Sequence, residues 1–372
     1  MRLEISTVRN KRDLAAYVSF PYTLYRNDPV WIAPLRTEEK KKFDPRRNRY
    51  LGRCDFEHFL LKHGSRVVGR VSAFVDPVST ECWGTPVALF GSYETYDRPE
   101  YAEALLNRVV QWAAEKKLSL IRGPMHFESQ EWGFLYSGFE TPPMVMAPYN
   151  PPCYNEHVTR FGFRKTKDLL VYDLDSPNEY VLPDRFSELC DAIERKHNIT
   201  VRPVNMKRLR EDVRKIVDVS NASTSDNWGF VPVTPEEADD IADSLKQVVD
   251  PDIVMLAEVD GTAVGYLIVL PDINQLLAGL NGRLLPRALW RILFQRKSIS
   301  RFRVWALGII PEYQRKAIDT LFYKRLYDVL GKRNMTHIEA NYVLEDNMAM
   351  NNPIIKMGFS ESKRYRVYEL PV

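Results

Sequence analysis

"IIPEYQRKAIDTLFYKRL", residues 309–326, reads as a strand end, a loop and the first turns of a helix. A loop of that kind turns free backbone N–H groups and the positive end of a helix dipole toward one point, where an anion is held. Glycines ordinarily let the backbone come close to the ligand in such loops. This loop has none.

Working outward, "FRVWALGII" (302–310) is a strand leading into the loop, and the helix carries a buried stripe of Phe322, Leu326, Val329 and Leu330 at a 3.6-residue period. "THIEANYVL" (336–344), a helix after Asp346 and a last strand "RYRVYEL" (364–370) follow. Upstream lie a strand "ITVRPV" (199–204), a helix from Met206 to about Asn221 and a helix at "TPEEADDIADSLK" (234–246). Thr234 with Glu237 forms a capping box there. "IVMLAEVDGTAVGYLIVL" (253–270) is a hairpin turning on Asp260 and Gly261.

The first half repeats this order. "RLEISTV" (2–8), a helix around "LAAYVSFPYTLY" (14–25) and a hairpin of "FEHFLLKH" and "VVGRVSAFVD" joined at Gly64-Ser65 come first. Then follow "VALFGSYE" (87–94), a long helix, "LSLIRGP" (118–124), a short helix after "YNPPCYNEH" (149–157) and "GFRKTKDLLVYDLD" (162–175). The long helix repeats the stripe as Leu105, Val109, Trp112 and Ala113. A tandem α+β protein with two mixed sheets is expected, with domains 1–175 and 199–372 and a linking segment 176–198.

The 372 residues suffice for two ordinary cores, and the net charge of +3 argues against wholesale nucleic-acid binding. The four cysteines, Cys54, Cys82, Cys153 and Cys190, form no C-x-x-C pair, so neither a disulfide framework nor a zinc site is expected. "MRLEISTVRNKRDL" is too charged for a secretory leader, and no apolar run approaches the roughly 20 residues of a bilayer span. A cytoplasmic location is the expectation.

The element order, with "DPVWIAPLR", "NWGFVPVTPEE" and "LEDNMAMNN", resembles tandem proteins of the GNAT N-acetyltransferase superfamily, a group of bacterial chains of largely undefined substrate. The resemblance implies two GNAT-like domains and an acyl-CoA-dependent N-acyltransferase, with acetyl-CoA or another acyl-CoA as co-substrate, no metal, and a small-molecule or peptide amine as acceptor. In the family the cofactor lies against a splayed strand, with its diphosphate on an Arg/Gln-x-x-Gly-x-Gly/Ala loop. Gln314 fills the first position, Ala317 replaces the first glycine and Asp319 stands where a small residue is usual. The implied cofactor residues are Leu307, Gly308, Ile309, Gln314, Arg315, Lys316, Ala317, Ile318, Asp319 and Asn347. A tyrosine that serves many members as an acid is Ile354 here.

The first half lacks a phosphate loop. "SYETYDRPEYAE" (92–103) carries Glu94, Asp97, Glu100 and Glu103 against Arg98 alone, with Asp97 and Glu100 spaced as a capping box. The cofactor is therefore assigned to the second half. Trp228 and Phe230, in a loop that lines the acceptor site in the family, and Glu94 are the expected substrate contacts. Glu339 and Asn341 share one strand face by period two and are the catalytic candidates, Glu339 or a water taking the amine's proton. Glu94 and Glu131 are alternative bases. No nucleophile pattern surrounds His126 or Cys153.

No acidic residue lies between Ile273 and Pro311, whereas Arg283, Arg287, Arg291, Arg296, Lys297, Arg301 and Arg303 do. Leu284, Leu285, Leu289, Trp290, Ile292, Leu293 and Phe294 are interspersed, so 273–300 reads as a helical insert with basic and apolar faces. It fits a lid over the acceptor pocket, a packing element against the first half, or, through 283–303, a membrane-surface or nucleic-acid contact. Two other functions stay open: a non-catalytic tandem scaffold, and a Fem-type aminoacyl transferase.

Overall fold

A computed structural model describes residues 2–127, 132–175, 183–284, 290–291, 294–333 and 335–372. The first half contains β1 (Leu3–Thr7), α1 (Lys11–Leu24), α2 (Arg36–Lys42), α3 (Arg49–Arg53), β2 (Asp55–His63), β3 (Arg66–Val75), α4 (Pro77–Trp83), β4 (Ala88–Thr95) and α5 (Pro99–Glu115). It ends with β5 (Leu120–Gly123), β6 (Phe134–Ser137), α6 (Cys153–Phe161) and β7 (Arg164–Asp175). After α7 (Asp184–His197) come β8 (Ile199–Pro203), α8 (Leu209–Thr224), α9 (Pro235–Val248), β9 (Val254–Val259), β10 (Thr262–Pro271) and α10 (Asn274–Leu277). The chain closes with β11 (Arg301–Ile309), α11 (Ile318–Leu330), β12 (His337–Leu344), α12 (Met348–Lys356) and β13 (Ser360–Pro371).

Local chemistry sets several boundaries. The Thr234 hydroxyl accepts from the Glu237 amide at 3.2 Å, and the Glu237 carboxylate accepts from the Thr234 amide at 3.0 Å, a reciprocal box that starts α9. The second hairpin turns with Asp260 and Gly261 both at positive φ, 49° and 80°. The expected box of Asp97 with Glu100 does not form. The residue preceding α5 is Arg98, with no side-chain cap, and the Asp97 carboxylate instead meets His157 Nε2 at 3.0 Å. A nearby imidazole outcompetes a local amide.

The predicted α+β class stands, but the two expected sheets are one. The strand order is β1-β2-β3-β4-β5-β13-β7-β12-β11-β10-β9-β8, with β6 pairing β13 to the side. β7, which ends the first half, pairs with β12 of the second from Leu169↔Leu344 to Asp175↔His337. β13, which ends the second half, pairs with β5 of the first from Gly123↔Tyr368 to Leu120↔Pro371. The two closing strands also pair with each other, antiparallel, from Asp173↔Ser360 to Arg164↔Glu369. The halves have exchanged their last strands. Periodicity predicts a strand but not its neighbour, because each edge offers the same backbone groups.

The seam is fixed by charge as well. Asp168 is fully buried, with its carboxylate 2.7 Å from Arg366 Nε, 3.1 Å from Lys165 Nζ and 3.2 Å from Arg364 Nη1. Burial opposes its ionisation, but these cations prevail and hold its carboxyl below the usual range. Cores lie on both faces of the sheet. In the first half α5 covers one face with Leu105, Val109 and Trp112, all but inaccessible, while Tyr17 and Val18 of α1 cover the other. In the second half α8 and α9 cover one face, and α7 and α11 the other.

Candidate active site

In each half two parallel strands start together and then diverge, and the resulting wedges differ. In the first half β4 pairs β5 only at Ala88↔Ile121 and Leu89↔Arg122. The gap is bridged at its start, and further along β4 Ser92, Tyr93 and Glu94 line the large cavity described below. The Met125 amide donates to the Phe90 carbonyl at 2.7 Å, and a Cβ on Gly91 would sit 1.8 Å from the Met125 carbonyl oxygen. At the strand end the Tyr154 hydroxyl bonds both backbone groups of Thr95, and Tyr93, Phe134 and Tyr154 pack edge to face around it.

The second wedge is open. β11 pairs β12 only from Arg301↔His337 to Val304↔Ala340. Past that point the edge of β11 that faces β12 has no strand partner, and Trp305, Ala306 and Leu307 face Ala340, Asn341 and Tyr342 across a cavity. The cavity has a volume of about 1980 Å³ and runs from this wedge beneath the first half. Its walls are mainly apolar. Of the residues expected from sequence, Trp228, Phe230, Glu94, Leu307, Asp319, Asn341 and Asn347 all line it.

Gly308 and Ile309 do not line it. A Cβ on Gly308 would come within 2.5 Å of Ser223 Oγ and of the Tyr266 ring, so this glycine lets α8 approach β11. Gln314 donates from Nε2 to the Ile309 carbonyl at 3.1 Å and so ties the loop to the strand end. Arg315 and Ala317 are both left-handed, at φ 60° and 58°, with Lys316 between them on the negative side. Such an alternation curls successive amides into an anion-accepting concavity. The loop keeps a glycine-type backbone without the glycine. Ile318 is fully buried and anchors the helix start in the core of the second half.

Asp319 complicates this corner. Burial pushes the pKa of its carboxyl up, and the nearby backbone amides of Asp319 and Thr320 oppose that shift. The carboxyl thus covers part of the helix start. On the outer side of the loop, a smaller pocket of about 390 Å³ is lined by Arg315, Lys316 and Ala317 together with Lys196 and His197 of α7. The residues present fit a diphosphate-bearing ligand in backbone shape and flanking charge, with the Asp319 carboxylate as the opposing element.

The catalytic candidates are placed one behind the other. Asn341 reaches the cavity, whereas Glu339 is buried behind it. Asn341 Nδ2 donates to Glu339 Oε1, and Arg303 Nη2 donates to Asn341 Oδ1, so both ends of the amide are fixed. Burial pushes the Glu339 carboxyl up and Arg303 opposes the shift, while Glu339 Oε2 has no partner. Sequence reading missed Arg303. Only the parallel register, which sets Arg303 beside Glu339, reveals it.

Glu94 is paired with the buried Arg70, whose guanidinium also donates to the Tyr17 carbonyl at 2.9 Å. Burial raises the Glu94 pKa and Arg70 works against it. Trp228 meets Trp132 edge to face, and the Phe230 carbonyl accepts from Trp83 Nε1 at 3.0 Å. Asn347 caps α12, accepting from the Met350 amide at 3.2 Å, and Ile354 is buried in the cavity wall. Glu131, Arg287, Leu285, Leu289, Ile292 and Leu293 lie outside the described residues.

Among the described residues one group, Asp97, Cys153 and His157, has ligand atoms within 4.8 Å of one another. Burial pushes the Cys153 thiol up to about 12, against thiolate formation. Both His157 nitrogens already face partners, Tyr93 at 3.2 Å and Asp97 at 3.0 Å. The cluster is accounted for as a hydrogen-bonded chain.

Two halves that each carry a splayed parallel pair and share one sheet define the tandem GCN5-related N-acetyltransferase fold. The chain superposes over its full length on 98% of a tandem GNAT protein from the clavulanic acid biosynthesis pathway, with a TM-score of 0.60 and 13% identity. It superposes over 99% of its length on 95% of a GCN5-related N-acetyltransferase from Sphaerobacter thermophilus, with a TM-score of 0.53 and 11% identity. At such identities the shared property is the fold. In sequence the chain is 32% identical to Protein YghO of Escherichia coli K12 over 374 residues, covering 98% of this chain and 94% of that one. It is 30% identical to the bacterial ceramide synthase of Caulobacter vibrioides over 382 residues, covering 99% of this chain and 97% of that one. The chain belongs to the family of these two proteins. No family profile matches it.

Proposed function

We propose that the protein is an acyl-CoA-dependent N-acyltransferase that joins a long-chain acyl group to the amine of a long-chain amphiphile. The observation that carries this reading is the cavity. At about 1980 Å³ it is roughly twice the upper end of ordinary ligand pockets, about 1,000 Å³, and it starts at the open wedge. Acetyl transfer to a small amine, the expectation from resemblance, leaves most of that space unused. A ceramide is a long-chain amino alcohol carrying an amide-linked fatty acyl chain, so the name of the Caulobacter relative supports the same substrate class.

In this reading the loop amides and the side chains of Gln314, Arg315 and Lys316 hold the diphosphate, and Asn347 stands at the cavity wall beside the wedge. The amine attacks the thioester carbonyl directly, and collapse of the tetrahedral adduct breaks the C–S bond, so that coenzyme A leaves as a thiolate and takes up a proton from water. The backbone amide at Leu307, on the cavity wall, stabilises the oxygen as it gains charge, and apolar walls exclude water. Asn341 presents its amide to the reacting groups, and Glu339 with Arg303 acts as its positioning pair. Glu94, on the cavity wall, attracts the ammonium form of the acceptor before its proton is lost to water.

The test is amide formation followed by mass spectrometry, with palmitoyl-CoA or acetyl-CoA as donor and sphinganine or a short amine as acceptor. Long-chain amide from the first donor and acceptor is expected. Acetyl transfer alone, or binding with no amide from any pair, overturns the reading.

A further inference from the structure

The insert between β10 and β11 does two structural jobs and leaves one face unused. Near its start the Gly282 carbonyl accepts from the Arg36 amide at 3.0 Å, and Gly282 packs against Tyr22 and Pro34 of the first half. Leu284 and Arg296 line the cavity, as do Leu276 and Leu277 of α10. The packing and lid readings are thus both compatible with its inner side.

The outer side is different. Two large aromatic side chains four residues apart stand in solvent, Trp290 at 53% and Phe294 at 70% exposure. Phe294 is the most exposed large apolar side chain among the described residues. Trp290 and Phe294 are helical, one turn apart, with ring centroids 6.1 Å from each other, so they form one patch. Isolated exposed apolar groups are ordinary, whereas a contiguous aromatic patch marks a contact surface. The charge of the insert itself has a single sign, for no acidic residue occurs from Asn274 to Ile310, and Arg283 and Lys297 are exposed.

We propose that this face docks on an anionic lipid bilayer. Tryptophan and phenylalanine seat at the level of the headgroups, while arginine and lysine meet lipid phosphates and each adds to the attraction. The same segment walls the cavity, so an amphiphile leaving the bilayer there enters an apolar space without crossing water. A nucleic acid would also attract the cations. The cavity, lined by Leu284 and Arg296 on either side of the patch in sequence, favours the lipid surface. The inference goes beyond the acyltransferase reading and does not depend on it.

The experiment is co-sedimentation of the full chain with vesicles of phosphatidylcholine alone or with 30 mol% phosphatidylglycerol. A single-stranded 30-mer RNA serves as the competing anion. The variant Trp290→Ala/Phe294→Ala removes the patch and touches no residue of the cavity wall. Binding to the anionic vesicles is expected, at least tenfold weaker for the variant and weakened further by salt. Acyl transfer to detergent-dispersed amine by the variant should equal that of the parent, while transfer to vesicle-borne amine falls. Equal vesicle binding by parent and variant, no vesicle binding by either, or RNA binding lost in the variant overturns the proposal. Failure of acyl transfer with intact vesicle binding overturns the proposed function instead.

Discussion

The hydroxyl of Tyr154 accepts from the Thr95 amide at 2.7 Å and donates to the Thr95 carbonyl at 3.0 Å. One side chain thus satisfies both backbone groups that the end of β4 would offer to an extended ligand. The first half presents a finished edge, and the second half an unfinished one.

One coenzyme A per chain is therefore expected by isothermal titration. Two equivalent sites would contradict the assignment. Tyr154→Phe leaves two buried backbone groups unmet and should cost about 1–3 kcal/mol by urea unfolding, with the stoichiometry still one.

Ala317 adopts φ 58°, which costs a residue with a Cβ about 1 kcal/mol relative to glycine. Ala317→Gly should stabilise the protein by up to that amount and leave coenzyme A affinity equal or tighter. Destabilisation would show that the alanine methyl does more in packing than its backbone costs.

Asp319→Asn keeps an oxygen for the first-turn amides and removes the charge facing the diphosphate. Affinity for coenzyme A should rise about three- to tenfold at low salt, and the gain should shrink at about 1 M salt as screening takes over. The pH dependence has a definite sign. Burial raises the Asp319 pKa, so the carboxyl protonates earlier than a free aspartate as pH falls, and parental affinity should increase through that window. The asparagine variant should lose this dependence.

If Glu339 positions Asn341, the oxygen matters more than the charge. Glu339→Gln keeps an acceptor for Asn341 Nδ2 and should retain most activity, with stability unchanged or higher because a buried carboxylate is gone. Glu339→Ala frees the amide and should lower kcat at least tenfold with KM little changed. Equal, large losses in both variants would assign Glu339 a proton-transfer role.

At the seam, Asp168→Asn breaks a buried carboxylate's pairing with Arg366, Lys165 and Arg364 and should cost about 3 kcal/mol at neutral pH. The folded carboxyl titrates below its unfolded value, so its contribution is present above an unfolded pKa of about 3.9 and fades as pH falls through the folded one. The gap between parent and variant should narrow below about pH 4.

Element order and both hairpins were legible because each rests on a local signal, as with the Thr234–Glu237 box and the Asp260-Gly261 turn. Much of the cavity wall was legible too. Trp228, Glu94, Asn341 and Asn347 were expected in a site, and the cavity gathers them. Long-range pairing decided the rest. Neither Arg303 beside Glu339 nor Arg70 beneath Glu94 carries a sequence signature, since each depends on strand register. Asp97 misled for the same reason, because its partner His157 lies 60 residues away.

The exchange of β7 and β13 sets an order of events during synthesis. The N-terminal half emerges from the ribosome first, yet β5 waits for residues 368–371, about 250 residues further on, to cover its edge. Until those residues emerge, that edge and the apolar faces beside it remain open to other chains. The exchange ties two lobes into one cooperative body, and loss of β13 would damage the lobe made first.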